Sequence, residues 1–125
     1  MIATTIKQSK HLLELGLDHK TADMCFEMEK GNWTLNVGKK SAQVNRGFAI
    51  PAWSLTALLE VMPNNDYWEI CLWQYKDQRW QCVFDDVEFS SGETKAFVAD
   101  TPISAAYEMI CWLLEQGLIE KGGEQ

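Results

Sequence analysis

The segment from Thr101 to Gly117 contains the start, the body and the end of one helix, and little of its surface is polar. Thr101 can accept hydrogen bonds from the first free backbone N–H groups, and Pro102 suits the first helical position because its missing N–H has no partner there. Gly117 can adopt the left-handed conformation that ends a helix. Glu108 and Glu115 lie one heptad apart, so they share one narrow strip of an otherwise apolar helix. We therefore expect this helix to be covered on several sides and to be the most buried of the helices.

Two further helices are indicated by their N-terminal residues. Thr5 and Gln8 match a capping box at the start of a helix near residues 5–16, in which the two side chains bind each other's backbone N–H groups. Ser54 can cap a second helix over residues 55–62, whose apolar positions lie on one face. We expect this second helix to pack beside the C-terminal helix.

Four segments outside the main hairpin favour strands. Residues 25–29 follow a stretch of mixed pattern, and residues 33–37 alternate between apolar and polar side chains, which is typical of a half-buried strand. A weaker strand is expected over residues 44–50, and we expect Pro51 to end it. Residues 95–99 form a short final strand that leads into the C-terminal helix.

The clearest hairpin joins two aromatic-rich runs, residues 67–75 and 79–84. We expect a turn centred on residues 77–78, which sets Tyr75 opposite Trp80. Both faces of such a hairpin are partly apolar, so it either lies centrally in the fold or presents one face to another molecule. In this register one face carries the candidate partner contacts Trp73, Tyr75 and Trp80.

These elements predict an α+β fold in a single domain over residues 1–125, with a loose tail at about residues 119–125. We expect one antiparallel or mixed sheet of about four to six strands, with two or three helices packed on one side of it. Ile110 and Trp112 of the C-terminal helix are expected in the core. Six tryptophans in 125 residues provide much buried area for such a core.

The net charge of −7 is unevenly distributed. Residues 1–62 carry seven basic and six acidic side chains, whereas residues 63–125 carry four basic and twelve acidic ones. The local basic cluster of Lys39, Lys40 and Arg46 is too small to neutralise many phosphates, so direct binding of nucleic acid is disfavoured. The acidic half either keeps the protein in solution or contacts a basic partner.

No arrangement typical of a catalytic, cofactor or metal site occurs in the sequence. Neither His11 nor His19 has a helical partner at metal-ligand spacing, and we expect no cofactor. No signal sequence or membrane-spanning run is recognised, so we expect a cytoplasmic protein with reduced thiols. At least three of the four cysteines are expected to be buried apolar residues: Cys25, Cys71, Cys82 and Cys111.

Three segments together resemble a group of short uncharacterised proteins of gut bacteria and of their phages or integrated elements. The first segment is residues 12–18 followed by 21–24, the second is residues 51–63 and the third is residues 101–117. This resemblance implies a phage or mobile-element setting and a small α+β domain. No activity is assigned to that group, so the resemblance implies no catalytic residue.

Three functional hypotheses follow from the sequence. The first is a non-enzymatic interaction module that binds a protein partner or a second copy of itself through the aromatic hairpin face. The second is an acidic decoy that blocks a DNA-binding protein, which requires the carboxylates of residues 63–125 to line one face. The third is a small enzyme or ligand-binding domain, which requires a histidine, a cysteine or a carboxylate pair to converge in a pocket.

Overall fold

A computed structural model describes residues 1–37, 49–63, 68–86 and 94–122, with the backbone alone at Trp68 and Asp86. Within these ranges the chain forms three α-helices, a 3₁₀ turn at His19–Thr21 and six strands. The helices are α1 (Ile6–Glu14), α2 (Leu55–Val61) and α3 (Pro102–Glu115). The strands are β1 (Met24–Glu29), β2 (Asn32–Asn36), β3 (Ala49–Ala52), β4 (Trp68–Gln74), β5 (Trp80–Asp86) and β6 (Thr94–Ala99).

The strands form two antiparallel sheets of three strands each, in the orders β2-β1-β3 and β4-β5-β6. The α+β class is therefore confirmed, but the prediction of one sheet with the helices on one side is wrong. Helix α3 packs on β5 and β6 and also contacts α1 and α2, while α1 packs on β3. A helix that is apolar on most sides needs more than one covering surface, and the second sheet provides only one of them.

The N-terminal caps of α1 and α2 confirm the helix starts read from the sequence. The Thr5 hydroxyl accepts the Gln8 N–H at 3.0 Å, and the Gln8 side-chain oxygen accepts the Thr5 N–H at 3.0 Å. The Ser54 hydroxyl accepts the Ala57 N–H at 3.2 Å. Each contact satisfies a backbone donor that has no partner within its helix.

Helix α3 has the ends and the burial that its sequence predicts. The Thr101 hydroxyl accepts the Ser104 N–H at 3.1 Å, Pro102 occupies the first turn, and Gly117 has a φ of 74°. Ile110 is fully buried, as expected, whereas Trp112 is half-buried against the core. Seven side chains of this helix are buried: Ile103, Ala105, Ala106, Met109, Ile110, Leu113 and Leu114.

Pro51 lies inside a strand and does not end it, so that prediction is wrong. It belongs to β3 and lies opposite Cys25 of β1. Strand β3 is an outer strand of its sheet, where a proline leaves no ladder hydrogen bond unmade on its free side. Residues 44–48 of the predicted strand lie outside the described residues, as does the basic cluster at residues 39–46.

One core cluster joins the helices and the second sheet, and a polar junction ties the N-terminal segment to it. Trp53 is fully buried and exchanges hydrogen bonds with Thr4: the Thr4 N–H donates to the Trp53 carbonyl at 2.9 Å, and the Trp53 N–H donates to the Thr4 hydroxyl at 3.1 Å. The Trp53 indole N–H donates to Thr21 at 2.9 Å. Ile119 is buried, and the Gly122 N–H donates to the Gly16 carbonyl at 2.8 Å.

Candidate interaction surface

The turn of the β4–β5 hairpin contains three residues rather than the expected two. The Tyr75 N–H donates to the Arg79 carbonyl at 2.8 Å, and the Gln78 N–H donates to the Tyr75 carbonyl at 2.9 Å. Gln78 has a φ of 75°, which gives the left-handed residue that a three-residue hairpin loop requires at its end. Asp77 holds the loop closed because it accepts both the backbone N–H (3.1 Å) and the Nε–H (2.7 Å) of Arg79. These hydrogen bonds also lower the pKa of the Asp77 carboxyl.

The extra turn residue shifts the strand pairing by one position, so the predicted register is wrong. Trp73 lies opposite Gln81, and Trp80 lies opposite Gln74. Because side chains alternate between the faces of a strand, a shift of one residue moves a whole set of side chains to the other face. Trp73 and Tyr75 therefore share one face of the sheet, and Trp80 lies on the other.

Trp80 belongs to the inner face, which we define as the side of the second sheet that α3 covers. It is half-buried and packs against the core, as do Leu72 and Phe97 of the neighbouring strands. On the same face the Phe84 ring lies 5.8 Å from the Trp112 ring of α3. The structure therefore does not place Trp80 beside the other two candidate partner contacts, and its role here is in packing.

The opposite side of the sheet, which we call the outer face, consists of three rows of three side chains. The pairing aligns Glu69 of β4 with Asp85 of β5 and Thr94 of β6 in the first row. The middle row contains Cys71, Val83 and Ala96. The third row contains Trp73, Gln81 and Val98, and Tyr75 extends it beyond the end of β4.

Three apolar side chains in and next to the third row are exposed, and one of them, Tyr75, is held by two contacts. The exposed fractions are 45% for Trp73, 37% for Tyr75 and 43% for Val98. The Tyr75 hydroxyl donates to the Gln81 side-chain oxygen at 2.8 Å, and the Arg79 guanidinium lies 5.2 Å from the centre of the Tyr75 ring. The Tyr75 ring is thus held on two sides before any partner arrives, which reduces the entropy that a contact must remove.

The β1–β2 hairpin presents a second exposed apolar surface that the sequence analysis did not identify. Met28 lies opposite Trp33, and their exposed fractions are 51% and 39%. Lys30 and Gly31 both have positive φ values (48° and 83°), which is typical of a tight two-residue hairpin turn. The alternation of Met24, Phe26 and Met28 was the available signal.

Ser54 serves as the N-terminal cap of α2. Its hydroxyl donates to an Asp23 carboxylate oxygen at 2.5 Å while it accepts the Ala57 N–H. Asp23 also accepts the Ser54 backbone N–H at 2.9 Å. These contacts fix the entry to α2.

Two of the four thiols, those of Cys82 and Cys111, have raised pKa values. Burial raises the pKa of Cys82 to about 12 and the pKa of Cys111 to about 11, so both thiols are protonated at neutral pH and are poor nucleophiles. Cys25 is buried and Cys71 is exposed. The expectation of at least three buried cysteines is met in part, because Cys111 is only half-buried.

One of the two histidines, His11, lies beside Tyr107, which shares a hydrogen bond with Cys111. The His11 ring packs edge-on against the Tyr107 ring at 6.2 Å, and His19 begins the 3₁₀ turn. Over the described residues, no group of three His, Cys, Asp or Glu side chains is arranged to hold a metal ion. None of the helices in the described part of the chain has the length and apolar character needed to cross a membrane.

Comparison of the chain with known protein families, with curated proteins and with solved structures finds no match.

Proposed function

We propose that the protein is a non-enzymatic interaction module that binds a protein partner through the outer face of its second sheet. The observation that carries this proposal is the third row, where Trp73, Tyr75 and Val98 remain exposed on a regular sheet. Aromatic side chains contribute a large share of the binding energy in protein interfaces, and exposed apolar patches mark such interfaces. Trp73 and Tyr75 are the central contacts in this proposal.

The raised pKa values of Cys82 and Cys111 give the enzyme hypothesis less support. A nucleophilic cysteine needs a lowered pKa and a neighbouring base, and burial raises the pKa of both Cys82 and Cys111. Ser54 is engaged as a cap with Asp23. The interaction hypothesis, by contrast, requires only exposed and ordered apolar side chains.

The positions of the described carboxylates give the decoy hypothesis less support. Glu69 and Asp85 lie on the outer face, whereas Glu108 and Glu115 lie on α3, on the other side of the sheet. A mimic of nucleic acid needs its charges along one surface at the spacing of phosphates. We therefore do not extend the proposal to a DNA-binding partner.

A differential pull-down tests the proposed function. The tagged parent protein, a Trp73→Ala/Tyr75→Ala variant and a Met28→Ala/Trp33→Ala variant are each incubated with lysate of the cells in which the protein occurs. The second variant is the matched control, because it removes exposed apolar side chains from the other sheet. Thermal unfolding of all three proteins establishes that each is folded.

We expect one protein to be retained by the parent and by the Met28→Ala/Trp33→Ala variant, and to be lost by the Trp73→Ala/Tyr75→Ala variant. If only the Met28→Ala/Trp33→Ala variant fails to retain the partner, the proposed surface is contradicted. If all variants retain it, a role in binding is contradicted for both exposed surfaces.

A further inference from the structure

We propose that the outer face takes a basic, partly apolar segment of its partner, in which a lysine or arginine contacts Glu69 and Asp85 while an apolar side chain contacts Trp73. This inference rests on the proposed function and specifies the chemistry of the partner. Its basis is the charge pattern of the outer face, which changes from acidic in the first row to uncharged in the other two.

The first row holds two carboxylates side by side. Glu69 lies directly opposite Asp85, and side chains at opposed positions have Cβ atoms about 5 Å apart. Asp85 accepts a hydrogen bond from the Thr94 hydroxyl at 3.1 Å. No ion pair joins either carboxylate to a basic side chain among the described residues. Like charges at opposed positions repel each other, so a cation from outside the chain would be stabilised here.

Two basic side chains of this sheet, Arg79 and Lys95, are engaged elsewhere. Arg79 binds Asp77 at 2.7 Å and lies over Tyr75, at the opposite end of β4 from Glu69. Lys95 lies on the inner face, where its ammonium group is 5.4 Å from the ring centre of Phe97 and 5.9 Å from that of Trp112. These two cations are thus held away from the first row, so neither of them neutralises its carboxylates.

The spacing of the rows sets the spacing of the partner's side chains. Glu69 and Trp73 lie four residues apart on one face of β4, which corresponds to about 13 Å along the strand. Between them lies the middle row, in which Cys71 and Ala96 are exposed and Val83 is buried. The matching segment has a basic side chain at one end and a large apolar side chain about 13 Å away, which is four residues in an extended chain.

A second copy of this chain fits the first row less well. Each copy carries a net charge of −7, so the two copies repel each other, and nucleic acid is repelled for the same reason. A basic segment is attracted both by the first row and by the overall charge. Electrostatic attraction of this kind raises the association rate and makes binding sensitive to salt.

A displayed random-peptide library supplies the probe for this inference. Peptides are selected on the immobilised parent protein, and the enriched peptides are synthesised and titrated against four variants. The Glu69→Gln/Asp85→Asn variant removes the first-row charges, and the Glu108→Gln/Glu115→Gln variant removes two charges from α3 as the matched control. The Trp73→Ala variant tests the apolar contact on the outer face, and the Met28→Ala variant, on the other sheet, is its control.

We expect the enriched peptides to contain lysine or arginine together with an aromatic or large aliphatic residue. The Glu69→Gln/Asp85→Asn variant should bind them about fivefold more weakly than the parent, because two exposed ion pairs are lost. The Glu108→Gln/Glu115→Gln variant has the same net charge as the Glu69→Gln/Asp85→Asn variant, but we expect it to bind the peptides as tightly as the parent does. High salt should reduce the difference between the parent and the first-row variant.

The outcomes separate this inference from the proposed function. Peptides that lose affinity with Trp73→Ala but not with Glu69→Gln/Asp85→Asn overturn the inference and leave the proposed function standing. Peptides that lose affinity equally with the two charge variants also overturn it. Failure to enrich any peptide that depends on Trp73 contradicts both. Sedimentation that shows a stable dimer of the parent, lost with Trp73→Ala, assigns the face to a second copy and overturns the inference.

Discussion

The inner and outer faces of the β4–β5–β6 sheet carry the same kinds of side chain in opposite surroundings. Trp80 and Cys82 on the inner face pack against the core beneath α3, whereas Trp73 and Cys71 on the outer face are exposed. The difference arises from α3, which covers one face only. Residue type alone therefore does not distinguish a tryptophan that packs in the core from one that is exposed, and the position of the nearest helix does.

The largest effect on stability is expected from a substitution that prevents α3 from packing on the inner face. Ile110 is fully buried on α3, so Ile110→Asp places a charge in the core without a partner. We expect this variant to be unfolded, since the cost exceeds about 4 kcal/mol. Circular dichroism and urea titration measure it, with Glu108→Gln on the exposed side of α3 as the control. A cooperatively folded Ile110→Asp variant would show that α3 does not hold the inner face.

The next largest effect is the difference in stability expected between alanine variants of Trp80 and Trp73. Trp80→Ala removes packing from the core, and we expect it to lower the free energy of unfolding by about 2–4 kcal/mol. Trp73→Ala removes an exposed side chain, and we expect a change of less than about 1 kcal/mol. Urea denaturation of both variants measures the contrast. Equal losses in the two variants would mean that the outer face also supports the fold.

The burial of Cys82 on the inner face predicts that the stability of the protein depends on pH. The pKa of Cys82 is raised by burial from 9.0 to about 12, so its protonated form is favoured in the folded state. This contribution to stability is complete below pH 9 and is lost as the pH rises from 9 to about 12. We expect the free energy of unfolding to fall over this window and Cys82→Ala to reduce that fall. A fall of the same size in Cys82→Ala would assign the effect to other groups.

Thiol labelling of the folded protein measures the difference in accessibility between Cys71 on the outer face and Cys82 on the inner face. Cys71 is exposed, so we expect an aromatic disulfide reagent to label it rapidly at pH 8, whereas Cys82 and Cys25 react only after unfolding. Cys71→Ser identifies the rapid phase. A rapid phase that persists in Cys71→Ser would come from the half-buried Cys111 or from a buried thiol, and it would contradict the assignment to Cys71.

The smallest expected effect concerns the first row of the outer face. Glu69→Gln removes the repulsion between opposed carboxylates, and we expect it to stabilise the protein by about 0.2–1 kcal/mol at low salt. The gain should shrink as salt is added. Thermal unfolding at two salt concentrations measures it, and Glu108→Gln serves as the control. A loss of stability in Glu69→Gln would show that this carboxylate has a structural partner.

The helices could be predicted from sequence because their signals are local. Thr5 with Gln8, Ser54, and Thr101 each bind a backbone N–H three residues further along the chain, as their spacing predicts. Gly117 ends α3 in the left-handed conformation. Such contacts depend on neighbouring residues and not on the rest of the fold, so their residue types are sufficient evidence for them.

The register of the main hairpin and the division into two sheets were not predictable in this way. The register depends on Gln78 in a left-handed conformation, a position where glycine or asparagine is the usual signal. The two sheets arise because α1 and α3 pack on different strands, which is a long-range property. The candidate site changed with the register: Trp73 and Tyr75 stayed together, while Trp80 moved to the core side.

The most direct test of the outer face as a binding surface is photo-cross-linking in the cells where the protein occurs. A photoreactive benzophenone amino acid replaces Val98 on the outer face in one protein and Met28 on the other sheet in the control, since both positions are exposed. We predict that irradiation yields one larger covalent adduct from position 98 and that position 28 does not yield it. The absence of any adduct at position 98, or the same adduct from both positions, would contradict the account.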